Sequence, residues 1–255
     1  MPQFLQIDGL NLHVSYRPGT GRAVVFANSL GTDFRIWEDV IALLPEDLPI
    51  LCIDKRGHGL SETGPVSIPR LAEDLAAAME HFELRDALVC GVSIGGMIAQ
   101  SLAATRPDLV SAVVFCCTGM KIGDETTWNP RINAVRDTGI EPIADAVMER
   151  WFSEGFRGDR PLDLKGYRTM LARTDAEGYA RTCEAIRDCD LSGDAAKITQ
   201  PSICIAGSVD LSTPPALVQA LAEALPNSRY VEIEGVSHLP GIETPHAVAK
   251  AIGEL

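Results

Sequence analysis

Short apolar runs rich in β-branched residues, each bounded by Gly, Asp or Asn, alternate with amphipathic segments along the first half of this chain. Residues 10–16, 23–27, 50–53, 87–91 and 109–117 read as strands, and residues 34–44, 69–82 and 95–104 as helices. Strands this short and this continuously apolar suit a parallel sheet covered on both faces, where every side chain is buried. Strand–helix alternation at such spacing builds βαβ units. A chain of 255 residues is near the upper limit for one hydrophobic core, so one α/β domain with an insertion is expected.

Between residues 119 and 189 the β-rich runs stop. Polar helical segments carrying Arg and Asp replace them at residues 143–152, 165–174 and 177–187. The first rhythm then resumes, with strands at 202–207 and 229–233 and helices at 216–225 and 245–252. Seventy or so residues are long for one crossover connection. The expected organisation is an α/β core made of residues 1–118 and 190–255, with a helical cap inserted at 119–189.

Hydrophobic residues make up 46% of the chain and charged residues 22%, the balance of an ordinary globular protein. No run approaches the roughly 18–20 apolar residues of a membrane span. The opening Met-Pro-Gln-Phe-Leu-Gln-Ile-Asp has neither the basic nor the apolar region of a secretory signal, so a cytoplasmic location without a membrane partner is expected. The net charge of −13 argues against nucleic acid, whose phosphates need an excess of Lys and Arg. It also means that an anionic ligand would need positive charge gathered locally. The seven cysteines (Cys52, Cys90, Cys116, Cys117, Cys183, Cys189 and Cys204) are odd in number and lack Cys-x-x-Cys spacing, so reduced structural thiols and no metal site are expected.

Gly91-Val92-Ser93-Ile94-Gly95 lies directly after the strand at 87–91 and directly before the helix at 95–104. Gly-x-Ser-x-Gly gains its meaning from that setting: a nucleophile placed on a sharp strand-to-helix turn, with glycines where a Cβ would clash. A serine hydroxyl is a weak nucleophile near neutral pH and needs a base, itself oriented by an acid. The chain order Ser, acid, His requires a late histidine. His238, in the loop Gly235-Val236-Ser237-His238-Leu239 after the last strand, meets this requirement. His246 falls early in the final helix, His13 alternates within a strand, and His81 ends a helix. For the acid, Asp210 follows the strand at 202–207 after a short turn, whereas Asp188, Asp190 and Asp194 precede that strand in a polar linker.

Acyl transfer also needs donors for the oxyanion. The N–H of Ile94, next to the nucleophile, is one. The other comes from Asn28-Ser29-Leu30-Gly31, with the N–H of Leu30 preferred over that of Ser29. Asp54-Lys55-Arg56-Gly57-His58-Gly59 lacks the ending of a P-loop and the spacing of a dinucleotide fingerprint, and reads as a structural turn.

With these residues in place, the chain is similar to the α/β-hydrolases and specifically resembles the 3-oxoadipate enol-lactonase family of protocatechuate breakdown. The resemblance rests on Asn28-Ser29-Leu30-Gly31-Thr32-Asp33 with Trp37, on the Asp54–Gly59 turn, and on Gly91-Val92-Ser93-Ile94-Gly95-Gly96-Met97. In the inserted segment it rests on residues 121–123, on Trp128-Asn129-Pro130-Arg131-Ile132 and on Glu149-Arg150-Trp151-Phe152. The chain departs from the family pattern at Ile94, where the family has Met, and at Lys55, where it has Thr.

The resemblance implies an α/β-hydrolase fold with a helical cap and no cofactor. It also implies hydrolysis of a small anionic lactone with an acetate arm, in β-ketoadipate catabolism. A carboxylate-bearing substrate calls for a guanidinium in the cap, Arg131 first and Arg150 second, with Trp128 lining the pocket and Ser29 beside it. Two other readings stand next to this one: a related small-acid esterase or C–C bond hydrolase, and a non-catalytic receptor for a small lactone. Dehalogenase and epoxide hydrolase chemistry is disfavoured, because it uses Asp at the position of Ser93.

Overall fold

The computed structural model describes residues 2–255. Eight strands form one sheet in the order β1-β2-β4-β3-β5-β6-β7-β8. They are β1 (Pro2–Ile7), β2 (Leu10–Arg17), β3 (Val24–Ala27), β4 (Ile50–Ile53), β5 (Ala87–Val92), β6 (Val110–Cys116), β7 (Ser202–Gly207) and β8 (Ser228–Ile233). β2 runs antiparallel to both β1 and β4, and β3 to β8 are mutually parallel. Strands β3, β4, β5 and β7 are buried at every position, as expected of a sheet covered on both faces. Each large aliphatic side chain taken out of water there contributes roughly 1.5–3 kcal/mol.

The core helices are α1 (Glu38–Ile41), α2 (Ile68–His81), α3 (Ile94–Thr105), α9 (Pro215–Ala224), α10 (Pro240–Glu243) and α11 (Pro245–Glu254). Local chemistry starts them: Ser67 accepts from the N–H of Arg70 at the head of α2, and proline occupies the first turn of α2, α9, α10 and α11. Between β6 and β7 the chain forms only helices: α4 (Glu125–Thr138), α5 (Ala144–Trp151), α6 (Glu154–Asp159), α7 (Pro161–Ala172) and α8 (Ala176–Asp188). No helix among the described residues is long and apolar enough to cross a membrane. All seven cysteines are free.

The structure departs from the sequence reading in its details. β1 was not anticipated; its Pro-Gln-Phe-Leu-Gln-Ile becomes a strand through full pairing with β2. Residues 34–44 form a 3-10 turn (Phe34–Trp37) and the short α1 rather than one helix. α4 and α6 carry the breakers Pro130 and Gly155, which hide them from propensity, and Asp124 and Ser153 cap them. α7 starts earlier than expected because Pro161 fits a first turn.

One feature of the topology positions the site. From β3 the chain goes to β4 on one side, then returns to place β5 on the other. The loops leaving the carboxyl ends of β3 and β5 therefore diverge around a crevice, the switch point where open α/β sheets bind ligands.

Candidate active site

Ser93 occupies the turn from β5 to α3 with φ 58° and ψ −122°. A non-glycine residue adopts such angles only when its surroundings hold it there, at a cost of about 1–3 kcal/mol. Its N–H donates to Cys116 O at 3.0 Å, and its own carbonyl accepts from Gly96 N, Met97 N and the Thr118 hydroxyl. A Cβ at Gly95 would lie 2.0 Å from Ala27 O, so only glycine lets α3 begin against the end of β3. This close approach brings the elbow next to residues 28–33. Among the described residues, neither Leu30 N–H nor Ile94 N–H donates to another protein group. Backbone donors left unspent in this way are free to hold an oxyanion.

The partners expected late in the chain meet each other. Asp210 follows β7, His238 follows β8, and His238 Nδ1 lies 2.8 Å from Asp210 Oδ2, both residues being buried. The carboxylate also accepts from Ser212 N at 2.7 Å and Thr213 N at 3.1 Å. The Thr213 hydroxyl sits 2.7 Å from Asp210 Oδ2 and 2.8 Å from Cys117 O, where its single proton is shared. Burial alone would push the Asp210 carboxyl up, but the charge and hydrogen bond of His238, with the side-chain and backbone hydrogen bonds of Thr213, hold it below the usual carboxylate range. Cys117 Sγ lies within 4.8 Å of the ligand atoms of Asp210 and His238. Burial and the nearby Asp210 charge push its thiol well up, which keeps it neutral beside the pair.

Helices α5, α7 and α8 form a roof directly on the loop after β3. A Cβ at Gly31 would come within 2.5 Å of Leu171, 3.1 Å of Tyr179 and 3.4 Å of Trp151. Trp151 O accepts from His238 N at 3.2 Å, which ties the roof to the histidine loop. The positive charge of Arg131 acts on Tyr179, and the Arg131 guanidinium stands 5.4 Å from the centre of the Trp128 ring. Trp128 is buried and donates from Nε1 to Ile122 O at 2.7 Å. Elsewhere on α4, Arg136 pairs with Glu177 and Glu184, whereas Arg131 meets no acid among the described residues.

Arg150 is placed differently from Arg131. Its side chain is exposed and reaches Leu211 O at 3.4 Å, while only its backbone carbonyl, accepting from the Ser237 hydroxyl at 3.1 Å, meets the histidine loop. Ser29 lies buried with a hydroxyl that has no partner among the described residues. Thr213, Tyr179, Trp151, Leu171 and Lys55 were not singled out from sequence for this site. For Thr213 a signal existed, since Asp210-Leu211-Ser212-Thr213 is an Asx-type turn. The others arrive by packing alone.

Residues 24–251 match the alpha/beta hydrolase family model. The chain is 37% identical to 3-oxoadipate enol-lactonase 2 of Acinetobacter baylyi, covering 90% of this chain and 86% of that protein. It is 32% identical to 3-oxoadipate enol-lactonase 1 of the same organism, covering 89% and 86% respectively. The crystal structure of the enol-lactonase from Burkholderia xenovorans superimposes with a TM-score of 0.95 at 36% identity, over 99% of this chain and 98% of that one. The chain belongs to the alpha/beta hydrolase family and, within it, to the 3-oxoadipate enol-lactonase family.

Proposed function

We propose that this protein hydrolyses 3-oxoadipate enol-lactone to 3-oxoadipate with Ser93 as nucleophile, His238 as base and Asp210 as its orienting acid. Ser93 Oγ attacks the lactone carbonyl carbon as its proton passes to His238 Nε2. The oxyanion is held by the N–H groups of Leu30 and Ile94. Collapse breaks the bond to the ring oxygen, which leaves as an enolate, takes up the proton held on His238 and becomes the ketone, returning His238 to its neutral form. Water, giving its proton to the neutral His238, then attacks the acyl carbon, and His238 returns that proton to Ser93 Oγ as the acid departs. No step asks for a metal or an organic cofactor.

The substrate's free carboxylate would meet Arg131, with Trp128 beside it and the Ser29 hydroxyl below. The observation that carries this reading is Arg131 itself: in a chain of net charge −13, its guanidinium stands over the Trp128 ring with no acid partner among the described residues. Residues 119–189 are the cap in this reading, and the protein works in the cytoplasm on a small molecule.

The test is loss of the enol-lactone's ultraviolet absorbance with the lactone generated in situ. Wild type accelerates the loss and Ser93→Ala does not; equal rates would overturn the reading. Arg131→Ala should raise KM about tenfold to a hundredfold with kcat little changed, the loss of one charge-assisted contact. A protein that hydrolyses neutral esters and leaves the lactone untouched would be the small-acid esterase instead.

A further inference from the structure

Lys55 is among the most deeply placed cations in the chain. It sits in the turn after β4, 4% exposed, and its Nζ lies 2.5 Å from Ser29 O and 3.4 Å from Thr32 O. Both carbonyls belong to the loop after β3. The beside-lying hollow, bounded by Asn28, Ile53 and Asp74 among others, has a volume of about 10 Å³, room for one water at most. The ammonium therefore spends its hydrogen bonds on that loop rather than on solvent.

These carbonyls do not depend on Lys55 for a partner. Thr32 Oγ1 also donates to Ser29 O at 2.9 Å, and Asn28 Nδ2 donates to Thr32 O at 2.5 Å. A buried cation is costly, so a loop that already closes on itself gains little stability from one. What Lys55 adds is direction and charge. Ser29 C=O and Leu30 N–H are the two ends of a single peptide group. An ammonium on the oxygen end draws electron density from the nitrogen end, and hydrogen bonds in such a chain strengthen one another.

We propose that Lys55 is a positioning residue for the oxyanion: held on Ser29 O, it fixes and polarises the Ser29–Leu30 peptide so that Leu30 N–H becomes a stronger donor. This rests on the reading above that Leu30 N–H faces the oxyanion. The charges around Lys55 are consistent with a role that its surroundings modulate. Burial drives its pKa down to about 7, while the carboxylates of Asp54 and Asp33 act the other way. Asp74, across the hollow, is engaged by Arg56 through Nε at 2.6 Å and Nη2 at 2.7 Å. His58 is held well below its usual value by burial and by Lys55, and stays neutral.

The experiment compares a ligand that needs the oxyanion donors with one that does not. A simple alkylboronic acid forms a tetrahedral adduct on the serine, with an oxygen in the oxyanion position; adipate, a dicarboxylate, does not. Deleting a whole oxyanion donor costs about 10²–10³ in kcat, so loss of polarisation alone should cost about tenfold. Lys55→Met should thus lower both kcat and boronic acid affinity about tenfold, with KM and adipate affinity within about twofold and no fall in Tm. Lys55→Gln, which can donate but carries no charge, should fall between, and it carries the test if Lys55→Met does not fold. Unchanged boronic acid affinity overturns the proposal, and so does a parallel loss of boronic acid, adipate and Tm, which marks a purely structural residue. Ser93→Ala separates the two levels: boronic acid binding that survives in Ser93→Ala refutes the nucleophile reading, independently of Lys55.

Discussion

His13 Nδ1 lies 2.7 Å from Asp54 Oδ2, and His238 Nδ1 lies 2.8 Å from Asp210 Oδ2. All four residues are buried, so by distance and burial the two pairs are interchangeable. Their surroundings separate them. Burial pushes Asp54 up, Asp33 adds to the push, and the bonds from His13, Phe34 N and Leu60 N do not overcome it. For Asp210 the opposing contributions of His238 and Thr213 win, and the carboxyl falls below its usual range. The His13 ring is packed between Phe4 and Phe34 at centroid distances of 5.1 and 4.8 Å. The nearby Ser61 hydroxyl is already spent: it donates to Asp54 O at 2.5 Å and accepts from His13 N at 2.8 Å. A groove of about 820 Å³ opens beside this first pair, between α7 and the loop after β3. The second pair thus keeps its acid ionised, as a carboxylate that orients an imidazole requires, and the first does not.

The largest expected difference follows directly. Asp210→Asn keeps the shape but presents an N–H where the imidazole needs an acceptor, so kcat should fall about 10⁴-fold. Asp54→Asn should cost at most about tenfold, acting through Lys55, whose proton Asp54 helps to hold. Steady-state turnover of the lactone measures both. Comparable losses would erase the distinction between the pairs. Next in size is Thr213→Val, which removes one hydrogen bond to a charged acceptor and should lower kcat about tenfold. It should also act on stability. Because the folded pKa of Asp210 is depressed, its stabilising contribution is complete above the ordinary 3.8 and is lost as pH falls through the lower folded value. Denaturant melts should therefore show Thr213→Val less stable than wild type at pH 7, by a margin that narrows in strong acid.

The sequence made the second pair legible and the first pair's neighbourhood opaque, for physical reasons. Ser93 was legible because a strained turn needs glycines at fixed offsets, and Asp210 and His238 because chain order and strand ends restrict the choices. Arg131 could be ranked above Arg150 by its neighbour Trp128, yet nothing in residues 143–152 indicates that the Arg150 side chain ends in solvent. Lys55 was harder still. In sequence it is one letter in a glycine-punctuated turn. Its meaning comes from β4 lying next to β3, which sets the turn after one strand beneath the loop after the other. The roof residues Trp151, Leu171 and Tyr179 come from three different helices, and no local pattern joins them.

Lys55 adds a third buried charge to the comparison, with the opposite pH sign. Its ordinary pKa of 10.5 falls to about 7 in the folded chain. Between those values the unfolded chain holds a proton that the folded chain has released, so stability gains from Lys55 as pH rises through that window. Activity should move the other way, since the discharged amine no longer polarises Ser29–Leu30. Thermal melts and kcat at pH 6 and pH 9 should show wild type gaining Tm relative to Lys55→Met, while the kcat ratio between them shrinks from about tenfold to about threefold. A ratio that stays constant would mean that Lys55 acts on the loop without its charge.

The smallest effect is expected where distance and burial alone would have allowed a large one. His13→Leu keeps the ring's approximate volume between Phe4 and Phe34 but leaves Asp54 Oδ2 with only the Leu60 N–H at 3.2 Å. Losing one buried hydrogen bond to a carboxylate costs about 1–3 kcal/mol. For a domain of this size that is a Tm lower by about 3–10 °C. The catalytic rate should stay within about twofold, because the Asp54 contact to Phe34 N at 2.9 Å remains and keeps the loop after β3 in place. A melt and a kcat on the same preparation decide it. If kcat falls with Tm intact, His13 reaches the chemistry after all, and the groove beside it would have to be read as part of the active site.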